Sequence, residues 1–450
     1  MLPLSFSTDV RAIDVDVVII GGGIQGLWLL ADLLDRGYHA ILLERMQPGF
    51  GQTGHSHVFL HEGHMYASMR NKQPDDIVNR VAAVLEANRL WKTALNTGRL
   101  ASLPQLKTDF YVGLISLERA KTFREHCRRA NIPCDDSTPP TEFGVLAEME
   151  KFYKSEGVCL ESRSLLDQLL NYGDLRKRAS YCNEISLEAY DSGRFNLVVK
   201  RPSDKSLSIL DRSLQIRASA LVLSAGAGNE KLLNPALAKA GINMDPDATR
   251  QQTVKTFMLV VRDLTGLLKP AAGLFPEFGG IFIASRQDAQ GRTVLLIADG
   301  HRSPVPCPGE MTALDAATWF GRLKIDLKKL LPTILDNPGD YEWGIYEATK
   351  AEPWTPSNRF PSGGELPGSF SKSRHPDIPL WVTWPTLLTF APKVASQITK
   401  ELMETVSPAT SILDWNAWDN FCESLTPSDC RWKTTPLLSW NDFLRCFVSS

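Results

Sequence analysis

Four histidines, His55, His57, His61 and His64, fall within ten residues in the stretch "GFGQTGHSHVFLHEGHMY", residues 49–66. Imidazoles at this density can ligate a metal, move a proton, form a covalent link to a cofactor, or line a polar loop. A metal centre fits the spacing poorly. "HEGH" is one residue short of H-E-x-x-H, and no thiolate flanks the group. A polar lining, with one ring available for acid–base work, requires only that a ligand lie beside the loop.

The element that would bring such a ligand lies just upstream, where residues 16–45 read "DVVIIGGGIQGLWLLADLLDRGYHAILLER". The apolar run 17–20 suits a strand buried on both faces. It enters Gly21-Gly22-Gly23-Ile24-Gln25-Gly26, which satisfies G-x-G-x-x-G. Gly21 permits the tight turn, Gly23 lets a pyrophosphate approach the backbone, and Gly26 lets the next helix lie close on the sheet. The periodicity predicts that helix over residues 24–36, its first amides aimed at phosphate. Gly37 ends it, and "HAILLE" supplies a second strand closing on Glu44. An acid about 20 residues beyond the glycines accepts from ribose hydroxyls and disfavours a 2′-phosphate. Strand, helix, strand and acid in register point to a bound dinucleotide. An NAD dehydrogenase competes for this unit taken alone.

The chain has 450 residues, 43% of them hydrophobic, and a formal charge of −2. That suggests two or three domains, or one large interwoven α/β enzyme. With no long basic tract, nucleic acid is not an expected partner, and Arg176-Lys177-Arg178 reads as a solvated turn. Eight scattered cysteines contain no C-x-x-C pair, which suits reduced thiols in a cytosolic protein. No run approaches the roughly 18–20 apolar residues of a membrane helix. A cytoplasmic enzyme without a membrane span is the expectation.

Further along, three strand-like pieces form a small antiparallel excursion that returns through Ala220-Leu221-Val222-Leu223, a second buried parallel strand, into Ser224-Ala225-Gly226-Ala227-Gly228-Asn229. Between residues 251 and 300, "QTVKTFMLVVRD", "GGIFIAS" and "RTVLLIADG" read as an antiparallel sheet of a second domain. "LDAATWFGRLKIDLKKLLPTI" reads as helix, "EWGIYEATKAE" as strand, and "PLWVTWPTLLTFAPKVASQITKEL" as strand, turn and helix. The tail, bearing Trp415, Trp418, Trp432 and Trp440, is expected to be a packed appendage.

Together these segments resemble the D-amino-acid-oxidase-like FAD oxidoreductases, a superfamily that includes glycine and sarcosine oxidases and FAD-linked glycerol-3-phosphate dehydrogenases. Residues 16–44 are similar to the long flavin fingerprint, and "SAGAGNEKLL" to the second strand-turn. "LHEGHMY" resembles H-x-G-x-x-Y after the flavin loop, and "WPTLLTFAP" the C-terminal T-x-A-P element. The likeness spans residues 14–70, 159–235 and 340–400, in the family's order. Two departures stand out. Leu387 and Leu388 occupy positions where the family usually has glycine, and the G-D-A-x-H motif of flavin hydroxylases is missing.

The resemblance implies an α/β fold in which a Rossmann-like FAD-binding domain of the GR2 type interweaves with a mixed or antiparallel-sheet substrate domain. The FAD domain would take residues 14–105, 155–245 and 340–405. The substrate domain would take 106–154 and 246–339, leaving 406–450 as the appendage. The implied cofactor is FAD. Gly21, Gly23, Ile24, Gln25 and Gly26 would cradle its pyrophosphate, Glu44 the adenosine ribose, and Arg45 the adenine side. Gly51, Gln52, Thr53, His55, Ser56 and His57 would follow the ribityl chain and flavin, and Ala225, Gly226 and Gly228 would admit the pyrophosphate or ribityl portion. Thr386, Leu387, Leu388 and Thr389 would lead helix-terminal amides to the pyrimidine carbonyl, stabilising negative charge on reduced flavin.

The implied chemistry is hydride transfer to flavin N5 from a C–H beside nitrogen or oxygen, with O2 or another acceptor taking the electrons. The expected substrate is a small amine, amino acid or hydroxy acid. Candidate catalytic residues are His57, Tyr346, Lys350 and Arg359. Lys350 would assist oxygen reduction or pair with Glu347 or Glu352, and Arg359 would hold a substrate anion. Arg286 is a further candidate cation. His55 or His57 could carry FAD covalently. A flavin monooxygenase or tailoring enzyme using NAD(P)H and O2 remains open at this level, as does a non-catalytic FAD-binding protein.

Overall fold

The chain opens with β1 (Ala12–Ile20), α1 (Ile24–Leu34) and β2 (Ala40–Glu44). Short elements α2 (Gln52–His55), β3 (Phe59–Leu60) and α3 (His64–Ala67) lead to the long α4 (Pro74–Asn96). Next come β4 (Leu106–Leu114), α5 (Leu117–Ala130), β5 (Asp135–Ser137), β6 (Lys151–Cys159), α6 (Ser162–Leu170) and α7 (Leu175–Arg178). The strands β7 (Ala179–Tyr181), β8 (Glu184–Asp191), β9 (Arg194–Lys200) and β10 (Ser213–Leu223) follow. A second run comprises β11 (Gln251–Asp263), β12 (Ala272–Phe275), β13 (Ile281–Gln287) and β14 (Thr293–Ala298). Then come α8 (Ala313–Leu330), α9 (Pro332–Asp336), β15 (Tyr341–Pro353), β16 (Lys372–Arg374), β17 (Leu380–Thr383) and α10 (Ala391–Thr405). The tail adds α11 (Asn416–Phe421), α12 (Arg431–Thr434) and α13 (Trp440–Phe447). The structure, a computed structural model, describes residues 12–69, 74–138, 151–201, 213–229, 232, 237–242, 251–299, 312–353, 372–384, 387–409 and 415–447.

Two sheets organise these elements. The first runs β16-β17-β10-β1-β2-β7, with β9 on β10 and β8 on β9. Its centre is parallel: β1 pairs with both β2 and β10, and β10 with β17. Alternation along β1 explains its continuous apolar run. Val17 and Ile19 enter the core shared with α1 and α10, while Val18 and Ile20 enter the core under β9 and α11. The second sheet runs β15-β11-β14-β13-β12-β4-β6-β3, mostly antiparallel, with β12 parallel to β4. It curls until Arg286 of β13 meets Cys159 of β6. On its outer face, Trp319, Phe320, Leu323 and Leu327 of α8 pack on Leu259, Ile283 and Ile297. The fold is therefore the expected α/β architecture: a parallel-rich sheet joined to a curled mixed sheet.

The first helix, the parallel return through β10, and the β-rich stretch 251–300 form as their patterns predict. The hydrogen-bonded sheets divide the chain differently from the expected segments at three places, one of them the short β3, which pairs with β6 in the second sheet. All of β15 and most of β6 fall in segments expected for the FAD domain, yet they pair into the second sheet. Strand pairing is a long-range property that local patterning does not encode. No helix among the described residues is long and apolar enough to cross a membrane.

The tail packs, as expected, and it does so against two cores. Trp418 is fully buried under the first sheet, its Nε1 donating to the Lys177 carbonyl at 2.7 Å. Leu438 and Trp343 of β15 exchange two backbone hydrogen bonds, each 2.9 Å. Phe443, also fully buried, packs against Phe320 and Trp343. The tail thus crosses from one core to the other. Phe443→Ala should lower the unfolding free energy by about 3–4 kcal/mol, the cost of emptying a buried aromatic site. Urea denaturation measures this, and an unchanged midpoint would mean that the tail is only loosely docked.

Candidate active site

The three glycines of the first turn meet different surroundings. A Cβ at Gly21, where φ is +117°, would strike the Ser224 carbonyl, and one at Gly26 would strike the Gly21 carbonyl. At Gly23 a Cβ would find only Thr53 Oγ1, at 3.4 Å. Gly21 and Gly26 are therefore small because protein fills the space, whereas Gly23 borders room for a ligand. Gly23 is also the N-cap of α1, and no side chain caps it. The Ile24 N–H donates to Thr53 Oγ1 at 3.2 Å, which leaves the rest of the first turn to an anion. Glu44, at the end of β2, accepts from the Gly22 N–H at 2.5 Å and the Met46 N–H at 2.6 Å. Burial raises its pKa. Each carboxylate oxygen keeps a second lone pair that a ribose hydroxyl could use. Arg45 is exposed.

The second turn lies against the first, with the Ser224 N–H donating to the Ile20 carbonyl at 2.7 Å. Gly226 has φ +56°, and a Cβ added there would meet nothing within 4 Å, so its backbone faces open space. Asn229, which sequence reasoning misses because no local pattern marks it, staples this turn. Its Oδ1 accepts from the Ala225 N–H and its Nδ2 donates to the Thr383 carbonyl, both at 2.8 Å. Gln251 adds a donor to the Ala227 carbonyl at 3.0 Å and accepts from Trp384 Nε1 at 3.1 Å. The segment 51–57 is tied to its surroundings by the Ala351 N–H donating to Gln52 Oε1 at 3.3 Å and the Tyr346 hydroxyl donating to the His55 carbonyl at 3.2 Å. Within the segment, Ser56 Oγ donates to the Thr53 carbonyl and accepts from the Val58 N–H.

Thr389 is buried, and its carbonyl accepts from Trp91 Nε1 at 3.0 Å. The turn that contains it, Leu388–Phe390, touches β3 and opens α10, which packs along α1 and has no side-chain cap. Leu387 and Leu388 lean half-buried on the first core. Thr386 lies outside the described residues, as does Arg359.

The four histidines separate into two pairs. His61 Nδ1 accepts from the Gly63 N–H at 3.0 Å, and its ring stacks with Phe59 and Phe110. His64 donates from Nε2 to the Pro133 carbonyl at 2.7 Å and faces Ser155 Oγ at 3.3 Å. Both are core residues. His55 and His57 instead border the inner face of the second sheet. The His57 ring meets Phe282 edge-on at 4.7 Å, and its Nε2 has no partner among the described residues. Burial, reinforced by the Arg286 charge, lowers the His57 pKa to about 3. Burial and Arg431 hold His55 at about 4, and burial with His64 holds His61 at about 4. Among the described residues, no three His, Cys, Asp or Glu side chains group to hold a metal ion.

On the same inner face, β13 carries Arg286, only 5% exposed. Its Nη1 donates to the Ser285 carbonyl at 2.8 Å, while its buried Nη2 has no partner among the described residues. Tyr346 is buried nearby, and burial raises its phenol pKa. Strand alternation places Lys350, half-buried, on the same face as Tyr346. Arg431, from the tail, is close enough to depress His55 electrostatically. Open backbone at Gly23 and Gly226, two helix starts without side-chain caps, and orphaned atoms on Arg286 and His57 suit an extended phosphate-bearing cofactor whose ring ends under the second sheet.

The family model of FAD-dependent oxidoreductases, DAO, matches residues 16–375. Over 405 residues the chain is 25% identical to a probable FAD-dependent oxidoreductase of Pseudomonas aeruginosa, covering 88% of this chain and 92% of that protein. The crystal structure of that protein superposes with a TM-score of 0.64 at 23% identity, over 94% of this chain and 99% of the other. An FAD-bound L-α-glycerophosphate oxidase from Mycoplasma pneumoniae matches with a TM-score of 0.62 and 14% identity, over 90% and 98% of the two chains. Glycine oxidase from Geobacillus kaustophilus gives a TM-score of 0.59 and 15% identity, over 90% and 97%. With the fold shared and the family model spanning both sheets, the chain belongs to the DAO family of FAD-dependent oxidoreductases, and FAD is its cofactor.

Proposed function

We propose that the protein oxidises a small anionic amine or amino acid, with a hydroxy acid as the alternative donor, at the space between the segment 51–57 and the inner face of the second sheet. FAD, when bound, supplies the hydride acceptor at N5, from which the electrons pass to O2 or another acceptor. The observation that carries this reading is Arg286. A buried guanidinium with an unpartnered nitrogen is costly, and a substrate carboxylate or phosphate offsets that cost.

His57 and Tyr346 then form walls that hydrogen-bond without carrying charge. His57 is neutral at physiological pH because its pKa lies near 3. It is thus a poor proton acceptor, and the amine must react in its neutral form. The positive charge of Arg286, together with Arg431 at the rim, favours that form by lowering the pKa of a nearby ammonium. The half-buried Lys350 would place positive charge where reduced oxygen forms. Amine oxidation is further supported by fold relatives that include a glycine oxidase, an L-proline dehydrogenase and an iminodiacetate oxidase. A glycerophosphate oxidase among them keeps the hydroxyl alternative in view.

An anaerobic screen that follows flavin bleaching tests this directly. Amino acids or other carboxylated amines should bleach the flavin and neutral amines should not. Arg286→Gln should lower kcat/KM for the active anion by about 10²–10³-fold, the effect of removing one partner from a buried charge pair, with the flavin spectrum retained. Unchanged kcat/KM would remove Arg286 from the site.

The histidines also impose a pH dependence on stability. In the unfolded chain each titrates near 6.5. In the folded protein His55, His57 and His61 stay neutral down to about 4, about 3 and about 4. As pH falls below about 6.5 the unfolded state binds protons that the folded state refuses, so stability declines with falling pH. At pH 5, unfolding should take up roughly three protons from these groups. The slope of urea-unfolding free energy between pH 5 and 6.5 measures this uptake. Replacing His57 by Phe should reduce it by about one proton.

A further inference from the structure

We propose that residues 425–435 of the tail act as a strap that holds the segment 51–57 in its FAD-binding shape, with Ser428 as the positioning residue. The inference rests on reading that segment as the lining of the flavin site.

The segment has little structure of its own. Its only helix, α2, spans four residues, and isolated helices that short do not persist in water. Its shape must come from ties to its neighbours. The nucleotide turn supplies one through Thr53, and β15 supplies two through Ala351 and Tyr346. The approach to the segment is fixed from the tail. The Ser428 backbone N–H and side-chain hydroxyl both donate to the Pro48 carbonyl, at 2.9 and 3.1 Å. The fit is close. Positions for a Cβ on Gly49 and Gly54 lie 3.5 and 3.7 Å from Ser428 Oγ, ordinary van der Waals contact, so the hydroxyl borders a notch that Leu166 and the Gly49 carbonyl close on the far side of the two glycines.

The strap is anchored on both sides of Ser428: before it, Arg176 Nη1 donates to the Leu425 carbonyl at 2.8 Å, and beyond it several side chains are held. Arg163 pairs with Asp429 at 2.5 Å. Cys430 Sγ donates to Glu161 Oε1 at 2.5 Å and lies 3.0 Å from Ser162 Oγ, and Lys433 reaches the same carboxylate at 3.1 Å. Although burial opposes ionisation, hydrogen bonds from Cys430 and Ser164 hold the Glu161 pKa at about 2. Beyond α12, Gly344 of β15 has no room for a Cβ because the Pro436 carbonyl and Leu437 lie against it. The strap is therefore fastened to α6 and to the second sheet, and it presses on the chain between them. It also brings Arg431 to His55, so that it contributes to the electrostatics of the site it clamps.

The test is FAD affinity of the full-length apoprotein, measured by flavin fluorescence quenching, together with hydrogen exchange of residues 47–56. Ser428→Leu overfills the notch and should raise the FAD Kd about tenfold or more while accelerating exchange in residues 47–56. Ser428→Ala removes one hydrogen bond and should raise Kd about threefold. Phe443→Ala loosens the tail at the far core and should leave Kd unchanged. If it weakens FAD as much as Ser428→Leu does, the effect is general destabilisation and the strap is refuted. A folded Ser428→Leu variant with wild-type Kd and exchange also refutes it. Should that variant fail to fold, Ser428→Ala decides on the same two readouts. Thr53→Val separates the premise from the proposal. If Thr53→Val leaves Kd unchanged, the reading of the segment fails. If Thr53→Val weakens FAD and Ser428→Leu does not, the strap alone fails.

Discussion

The contact between Gly21 and the Ser224 carbonyl constrains everything else in this molecule. It forces the turns after β1 and β10 into van der Waals contact at the carboxyl ends of neighbouring parallel strands. In open α/β sheets a ligand crevice forms where connections leave adjacent strands in opposite directions. Here β1 departs through α1 to β2 on one side, while β10 belongs to the other side of the sheet, beside β17. A side chain at Gly21 would wedge the two turns apart. The open backbone at Gly23 and Gly226 would then no longer border one groove.

The second constraint is electrostatic. The inner face of the curled sheet holds Arg286 away from water, and Arg431 adds charge at the rim. Protonated imidazoles at His55 and His57 would make that load prohibitive, and burial keeps both rings neutral. The same low-dielectric surroundings make an incoming anion more valuable than it would be at the surface. On the proposed reading the buried Arg286 selects an anion, while burial is the larger cause of the neutral histidines.

How much of this can be read from the chain depends on how far apart the interacting residues lie. The first turn is legible because its strand, glycines, helix and Glu44 are contiguous and each obeys a local rule. Gly226 and Thr389 can be proposed as cofactor contacts only through their order along the chain, since nothing local to either requires a ligand. Glu44 reads as a ribose acceptor, and its hold on the Gly22 amide is not legible because it depends on how β2 aligns with β1. The histidines look like one cluster in sequence and are two in space. The chain turns at Val58, whose φ of +44° is rare for a β-branched residue, and β3 then carries His61 and His64 into the core. The tail is least legible. Its tryptophans announce burial but not in which core, and the pairing of Ser428 with Pro48 spans 380 residues of sequence.

That long span has a physical rationale. If the segment 51–57 lines the flavin, as proposed, it cannot be rigid in its own right, because the cofactor must enter along the groove it borders. The segment 51–57 meets this requirement by being short and rich in glycine, with order imposed from three separate parts of the chain: the nucleotide turn, β15 and the tail. Each tie is a hydrogen bond or two, individually worth only about 1 kcal/mol, so any one can open without unfolding either sheet. The tail is the last of the three to be synthesised, and until it docks the Pro48 carbonyl lacks the donors that Ser428 supplies. The same tail contributes Trp418 to one core and Phe443 to the other.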